Sequence, residues 1–199
     1  MQFQRGSIGL FFRGDPTLKG WFGFYNNSPK DFTGQGFNGT ISTVGSGSYF
    51  YNPDRTPLLS LNGNALSMRG ATGSSSNYVL VRWTTSDVFN IVAPLTLMVW
   101  YRNVDNKCNH LLSRTRTFTS APWYHFSFYG GVNYGNGIQL SFLYYSGGAL
   151  VYNNSTITSA VPIDGKYHLL TVTKDLQYVK FYVDNKLLEA ISSTSHTWD

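Results

Sequence analysis

The chain has 199 residues, 42% hydrophobic and 17% aromatic, with 20 glycines and only 13% charged residues; this length suits one all-β domain with a sizeable core, and the composition excludes a disordered polypeptide. Its net charge of +5 reflects scarce acids, since Glu189 is the only glutamate and no cationic cluster exceeds Arg114 with Arg116, so a nucleic-acid partner is not expected. Cys108 is the single cysteine, which excludes an intramolecular disulfide, and no apolar run is long enough for a membrane-spanning helix, so no membrane association is expected.

In chain order, Met1 to Ser7 lack the pattern of a secretory signal. Phe3, Ile8, Leu10, Phe11 and Phe12, then Trp21, Phe22, Phe24 and Tyr25, carry more apolar bulk than a free arm tolerates. Residues 1–25 are read as N-terminal strands and a docking segment, part of the same domain as residues 26–199. Phe3, Phe11, Phe12 and, at the other end, Trp198 are the candidates for a partner interface, because aromatic clusters mark interface cores. Asn26 to Asp54 is rich in Gly, Ser, Asn and Pro and reads as a long loop of that domain. Beyond it, alternation dominates. Phe126 and Phe128 alternate with Ser127 and Tyr129, Ile138, Leu140 and Phe142 with Gln139, Ser141 and Leu143, and Val179, Phe181 and Val183 with Lys180 and Tyr182. Gly130-Gly131, Tyr134 to Gly137, Ser146 to Gly148 and Asp184-Asn185 supply turn chemistry between antiparallel strands. At most one or two short helical turns are expected.

Three segments in order carry a family resemblance: Asp31 to Thr40, Asn64-Ala65-Leu66-Ser67-Met68, and Ala93 to Trp100. They resemble the entry loop, the "Asn-Ala-Leu-x-Phe" strand and the Trp-terminated strand of laminin-G-like modules. Val161 to Thr173 followed by Val179 to Leu187 resembles that family's late hairpin. The resemblance covers roughly Leu10 to Ile191 and implies an antiparallel β-sandwich, the concanavalin-A-like jelly roll. The family's closing strand, of the form "Gly-x-Ile-Asp-Glu-Val-x-Ile-Tyr-Asn", is missing before Asp199, which motivates an expectation of assembly through an open sheet edge.

Candidate chemistry was weighed residue by residue. Glycoside hydrolysis needs two carboxyl groups flanking the scissile bond, and a single glutamate supplies no Glu-x-Asp-x-x-Glu array. Asp164, Asp175 and Asp184 sit in turn contexts that favour bonds to backbone amides. No serine lies in a Gly-x-Ser-x-Gly elbow, and His110, His125, His168 and His196 show no triad pattern; His168 matches a common family histidine and is read as a hydrogen-bonded structural side chain. Cys108 and His110 lack a second ligand pair for zinc. The family's Asp-rich calcium loop is replaced by Gly73 to Asn77. No catalytic residue, metal or cofactor is therefore expected. Glycan binding by stacking and hydroxyl bonding has candidates in Trp123, Tyr124, Asn133, Tyr134, Tyr145 and Tyr152. Asn38-Gly39-Thr40, Asn153-Asn154-Ser155 and Asn154-Ser155-Thr156 match glycosylation acceptors.

Together these readings lead to the expectation of a non-enzymatic virion structural protein. It would be a capsid decoration or tail surface protein that binds neighbouring virion subunits, forms a homo-oligomer and contacts cell-surface polysaccharide. The alternative is a lectin-like or adhesion module of a larger extracellular or cell-surface protein.

Overall fold

The computed structural model describes residues 22–25, 28–31, 33, 39–44, 48–52, 65–69, 76–81, 94–102, 109–114, 126–133, 137–146, 149–157 and 160–193. Within these, side chains are described at 31, 33, 94–102, 111–112, 128, 139–144, 151–157 and 160–193. Every regular element among the described residues is a strand, and every pairing between strands is antiparallel.

The chain divides into two compact units, Met1–Val88 and Phe89–Asp199. In the first, β1 (Phe22–Tyr25) pairs with β2 (Ser28–Asp31), β3 (Gly39–Val44) with β6 (Ser76–Val81), and β4 (Ser48–Asn52) with β5 (Ala65–Arg69). β5 is the "Asn-Ala-Leu" segment, a strand as expected. The long loop expected from Asn26 to Asp54 is a correction, because β2, β3 and β4 lie inside it. Its glycines and serines alternate with Ile41, Val44, Tyr49, Phe50 and Tyr51, side chains that fit a pleated surface and outweigh the breakers around them. β2 is closed by Asp31, whose carboxylate accepts from Thr33 N–H at 2.9 Å and from Thr33 Oγ1 at 2.6 Å.

The second unit holds two sheets. One runs β11 (Ala149–Asn154), β10 (Gly137–Ser146), β9 (Phe126–Asn133), β8 (Asn109–Arg114), and β12 (Val161–Pro162) also pairs with β10. β11 and β12 share one side of β10: Ser141 opposes Asn154, Ser155 N–H donates to Leu140 O at 2.9 Å, and Ile138 opposes Val161. They form one edge interrupted at Thr156 and Ile157. The other sheet runs β15 (Lys186–Ser192), β14 (Tyr178–Val183), β13 (Tyr167–Lys174), β7 (Leu95–Arg102). β14 and β15 meet in a two-residue turn with Asp184 at φ 51° and Asn185 at φ 65°, the left-handed pair that Asp and Asn tolerate best after glycine.

Side chains from both sheets build one core: Leu95, Leu97, Leu170, Val172, Val179 and Phe181 from the four-stranded sheet, and Phe128, Leu140, Phe142, Tyr144 and Val161 from the five-stranded one. The rings of Phe128 and Phe181 stack with centroids 6.5 Å apart. On β7 the sequence left both faces apolar, and the structure resolves them: Leu95, Leu97, Val99 and Tyr101 turn to the core while Thr96 and Met98 are exposed. On β10 the strict alternation fails in burial, because Ser141 and Leu143 are buried as well as Leu140 and Phe142.

Phe181→Ala is expected to lower stability by about 3–5 kcal/mol, through lost transfer energy and the cavity left beside Phe128. Met98→Ala, on the opposite face, should change it by less than about 0.5 kcal/mol. Urea midpoints of the two variants against the parent check both values.

Candidate functional site

Among the described residues of the second unit, ionisable side chains gather in three places, each bonding backbone groups where a strand ends and the ladder stops. The first is where β13 begins and β14 ends. His168 Nδ1 lies 2.8 Å from Asp184 Oδ2 and Nε2 lies 3.2 Å from Asp164 Oδ1. Asp184 Oδ1 accepts from Leu169 N–H at 2.9 Å, and Asp184 N–H donates to Leu169 O at 2.9 Å, so this side chain extends the β13–β14 ladder one step past Val183. Asp164 Oδ1 accepts from Lys166 N–H at 2.9 Å across a turn in which Gly165 takes φ 70°. With a carboxylate on each ring nitrogen, the doubly protonated imidazolium satisfies every partner. Burial works against that charge, and the hydrogen bonds and charges of Asp184 and Asp164 outweigh it, raising the His168 pKa. The Lys166 amide, with help from His168, lowers that of Asp164. Burial opposes ionisation of Asp184, and bonds from His168 and the Leu169 amide still bring its pKa down.

Glu189 of β15 makes the second cluster. Oε2 accepts from Ser155 Oγ at 2.8 Å and Thr156 N–H at 2.7 Å, and Oε1 accepts from Thr156 Oγ1 at 2.8 Å. Burial alone would raise its pKa, but these donors lower it. The carboxylate reaches from one sheet to the chain between β11 and β12 of the other. It can do so because of a bulge in β15: Phe181 opposes Glu189 while the next residue, Tyr182, opposes Leu187. Leu188 is the extra residue and packs against the core. Strict alternation from Leu187 would send Glu189 outward; the bulge turns it to the inner side with Phe181.

Lys174 occupies the third, at the end of β13. It falls in the inward series Leu170, Val172, Lys174 and is 2% exposed. Its ammonium donates to the Asp175 carbonyl and lies 5.6 Å from the centroid of the Tyr144 ring. Burial lowers its pKa, with the Asp175 charge opposing. Tyr144 Oη and Ser193 Oγ share a hydrogen bond of 2.8 Å, a second tie between the sheets. Asp175 Oδ1 accepts from Gln177 N–H at 2.8 Å and Tyr178 N–H at 2.6 Å, bonds that lower its pKa.

Asp164, Asp175 and Asp184 accept hydrogen bonds from backbone amides and His168 is hydrogen-bonded, as their sequence contexts suggested. Lys174 and Glu189 were not singled out for these roles. The apolar alternation of β13 contains the signal for Lys174, whereas an unpaired residue in β15 hides the one for Glu189. No group of three metal-ligating side chains suited to a cation occurs among the described residues.

Among the described residues, several large apolar and aromatic side chains stand exposed away from the core. Away from the core, Met98, Thr171, Tyr182 and Leu187 form one cross-strand row over the four-stranded sheet. Met98 and Leu187 are exposed, and the Thr171 hydroxyl is buried without a hydrogen-bond partner. On the other sheet Tyr152 is 57% exposed. Of the remaining glycan candidates, Tyr145 lies in β10 and Asn133 in β9, with side chains outside the described set, and Trp123, Tyr124 and Tyr134 lie outside the described residues altogether. So do the interface candidates Phe3, Phe11, Phe12 and Trp198. Asn153 is buried on the core side of β11, which closes that glycosylation acceptor, while Asn154 is exposed. Comparison with protein families, with curated proteins and with solved structures finds no match to this chain.

Two outcomes follow from the clusters. His168, with its pKa raised, contributes stability that is complete below its ordinary value of 6.5 and is lost as pH climbs through the raised value; Asp164 and Asp184, with theirs lowered, contribute above 3.8 and lose it as pH falls. The stability difference between the parent and His168→Gln should therefore be largest between about pH 4 and pH 6.5 and shrink as pH rises through the raised pKa of His168. Chemical denaturation across this pH range reads it. Glu189→Gln replaces an acceptor oxygen by a donor facing donors; it should cost roughly 1–2 kcal/mol and speed hydrogen exchange at the Thr156 amide by about tenfold or more.

Proposed function

We propose that the chain is a non-enzymatic structural protein of a virion surface, a capsid decoration or tail protein, built on a laminin-G-like β-sandwich of the concanavalin-A-like type. The sandwich reading is supported by two antiparallel sheets that share one core around Phe128 and Phe181. The observation that carries the functional reading is how the reactive side chains are used. The one glutamate is bound to three donors of a neighbouring segment, and the described histidine side chain, His168, is held between two carboxylates. What stands exposed instead is Met98 and Leu187, at the two ends of the cross-strand row that runs through Thr171 and Tyr182, apolar surface suited to a protein neighbour rather than to a substrate. The low charge content and single cysteine fit a protein that works by docking.

A second reading, a lectin-like or adhesion module, is favoured by one observation. Tyr152 presents its ring on the open side of β11, next to the exposed Asn154, the pairing of flat aromatic and amide that sugars engage.

Light scattering after gel filtration, over a concentration series, separates the two. The virion reading expects a discrete oligomer, weakened when Met98 and Leu187 are both changed to Ser. A monomer at every concentration favours the lectin-like module. Glycan cleavage that disappears in Glu189→Gln would overturn both in favour of an enzyme.

A further inference from the structure

His168 opens the inward series of β13 that continues with Leu170, Val172 and Lys174, opposite Tyr101 of β7, and its side chain is 12% exposed at the rim of the core. Two turns converge on it. Asp184 belongs to the hairpin turn from β14 to β15, and Asp164 to the turn that carries the chain from β12, in the five-stranded sheet, to β13, in the four-stranded one. One imidazole therefore joins two different connections of the unit.

The two contacts are not equivalent. Asp184 meets Nδ1 at 2.8 Å and is held independently of the ring, by Leu169 N–H on Oδ1 and by its own N–H on Leu169 O. Asp164 meets Nε2 at 3.2 Å, and its bonds from Lys166 N–H at 2.9 Å and the Lys166 ammonium at 3.8 Å lie inside its own turn. Those bonds keep the turn in shape, and the contact with Nε2 draws it against the rim of the core.

Carboxylate oxygens only accept, so both contacts are hydrogen bonds only while the imidazole carries two protons. Loss of one proton leaves a ring lone pair facing a carboxylate, and that contact becomes repulsive. The remaining proton stays with the nearer and better fixed acceptor, which is Asp184 on Nδ1. The surrounding charges keep this order. Lys166 flanks Asp164 and Lys186 flanks Asp184, one cation to each carboxylate, while on β7 Arg102 lies opposite Tyr167 with its guanidinium 5.9 Å from that ring centroid.

We propose that His168 is a pH-operated latch: doubly protonated it clasps both turns, and on losing a proton it keeps Asp184 and releases Asp164. The pKa of the ring is raised, so the latch is closed below 6.5 and opens as pH climbs through the raised value. Opening loosens the connection from β12 to β13, and the β13–β14 ladder stays closed.

The test is a pH titration of the full chain by nuclear magnetic resonance, reading the His168 ring nitrogens and the order parameters of backbone amides. Above the His168 pKa the ring should be the Nδ1–H tautomer, the reverse of the preference of a free imidazole side chain. Through the same titration the order parameters of Gly165 and Lys166 should fall below about 0.6, while those of Leu169 and Asn185 hold near about 0.85. Asp164→Asn, in an exposed turn, should lower the His168 pKa and remove the pH dependence at Gly165 with Leu169 unchanged, which separates the latch from a general loosening of the fold. An Nε2–H tautomer, or loosening at Asn185 in place of Gly165, overturns the release of Asp164. A ring that titrates below 6.5, or that titrates with no change at either turn, overturns the latch itself.

Discussion

The contact of Phe128 with Phe181 sets the rest of the second unit, because it decides which face of each sheet is inside. A strand has a period of two, so one fixed residue assigns every other. With Phe181 inward, Val179 and Val183 follow, and Tyr178, Lys180 and Tyr182 are turned out. Through register, the same choice sends Leu170, Val172 and Lys174 of β13 inward and sets Thr171 between Met98 and Tyr182. Lys174 is the awkward member of that series. A buried ammonium is costly unless its donors are satisfied, and here the Asp175 carbonyl and the face of Tyr144 meet that need. The same lysine ties the end of β13 to the turn that follows it.

The bulge in β15 works against the period of two, and it joins the two sheets by something other than apolar contact. One extra residue, Leu188, lets Glu189 share the inner side with Phe181 and reach Ser155 and Thr156. A charged acceptor with several donors is among the stronger kinds of hydrogen-bonded link. The molecule thus places its only glutamate where a break in the β11 to β12 edge leaves donors without a ladder.

Much of this was legible in the sequence, and the limits have physical causes. β9, β10 and β14 follow from alternation, and the Asp184-Asn185 turn from the preference of those residues for left-handed backbone. Asn26 to Asp54 reads as a loop because its turn-forming residues outnumber the β-branched and aromatic ones between them. A bulge leaves no mark in a pattern of apolar residues, so Glu189 could not be placed. Among the sequence's glycan candidates, Tyr152 was recognisable as an aromatic but not as an outward one, because β11 is short and its neighbours are both apolar and polar.

The interruption between β11 and β12 bears on how copies of the chain can meet. A straight sheet edge is a template on which foreign strands add one after another. Here Thr156 and Ile157 step out of line, and Glu189 holds the step in place from the opposite sheet. Among the described strands, an incoming chain would find the hydrogen-bond track along this side of the sheet broken midway between β11 and β12.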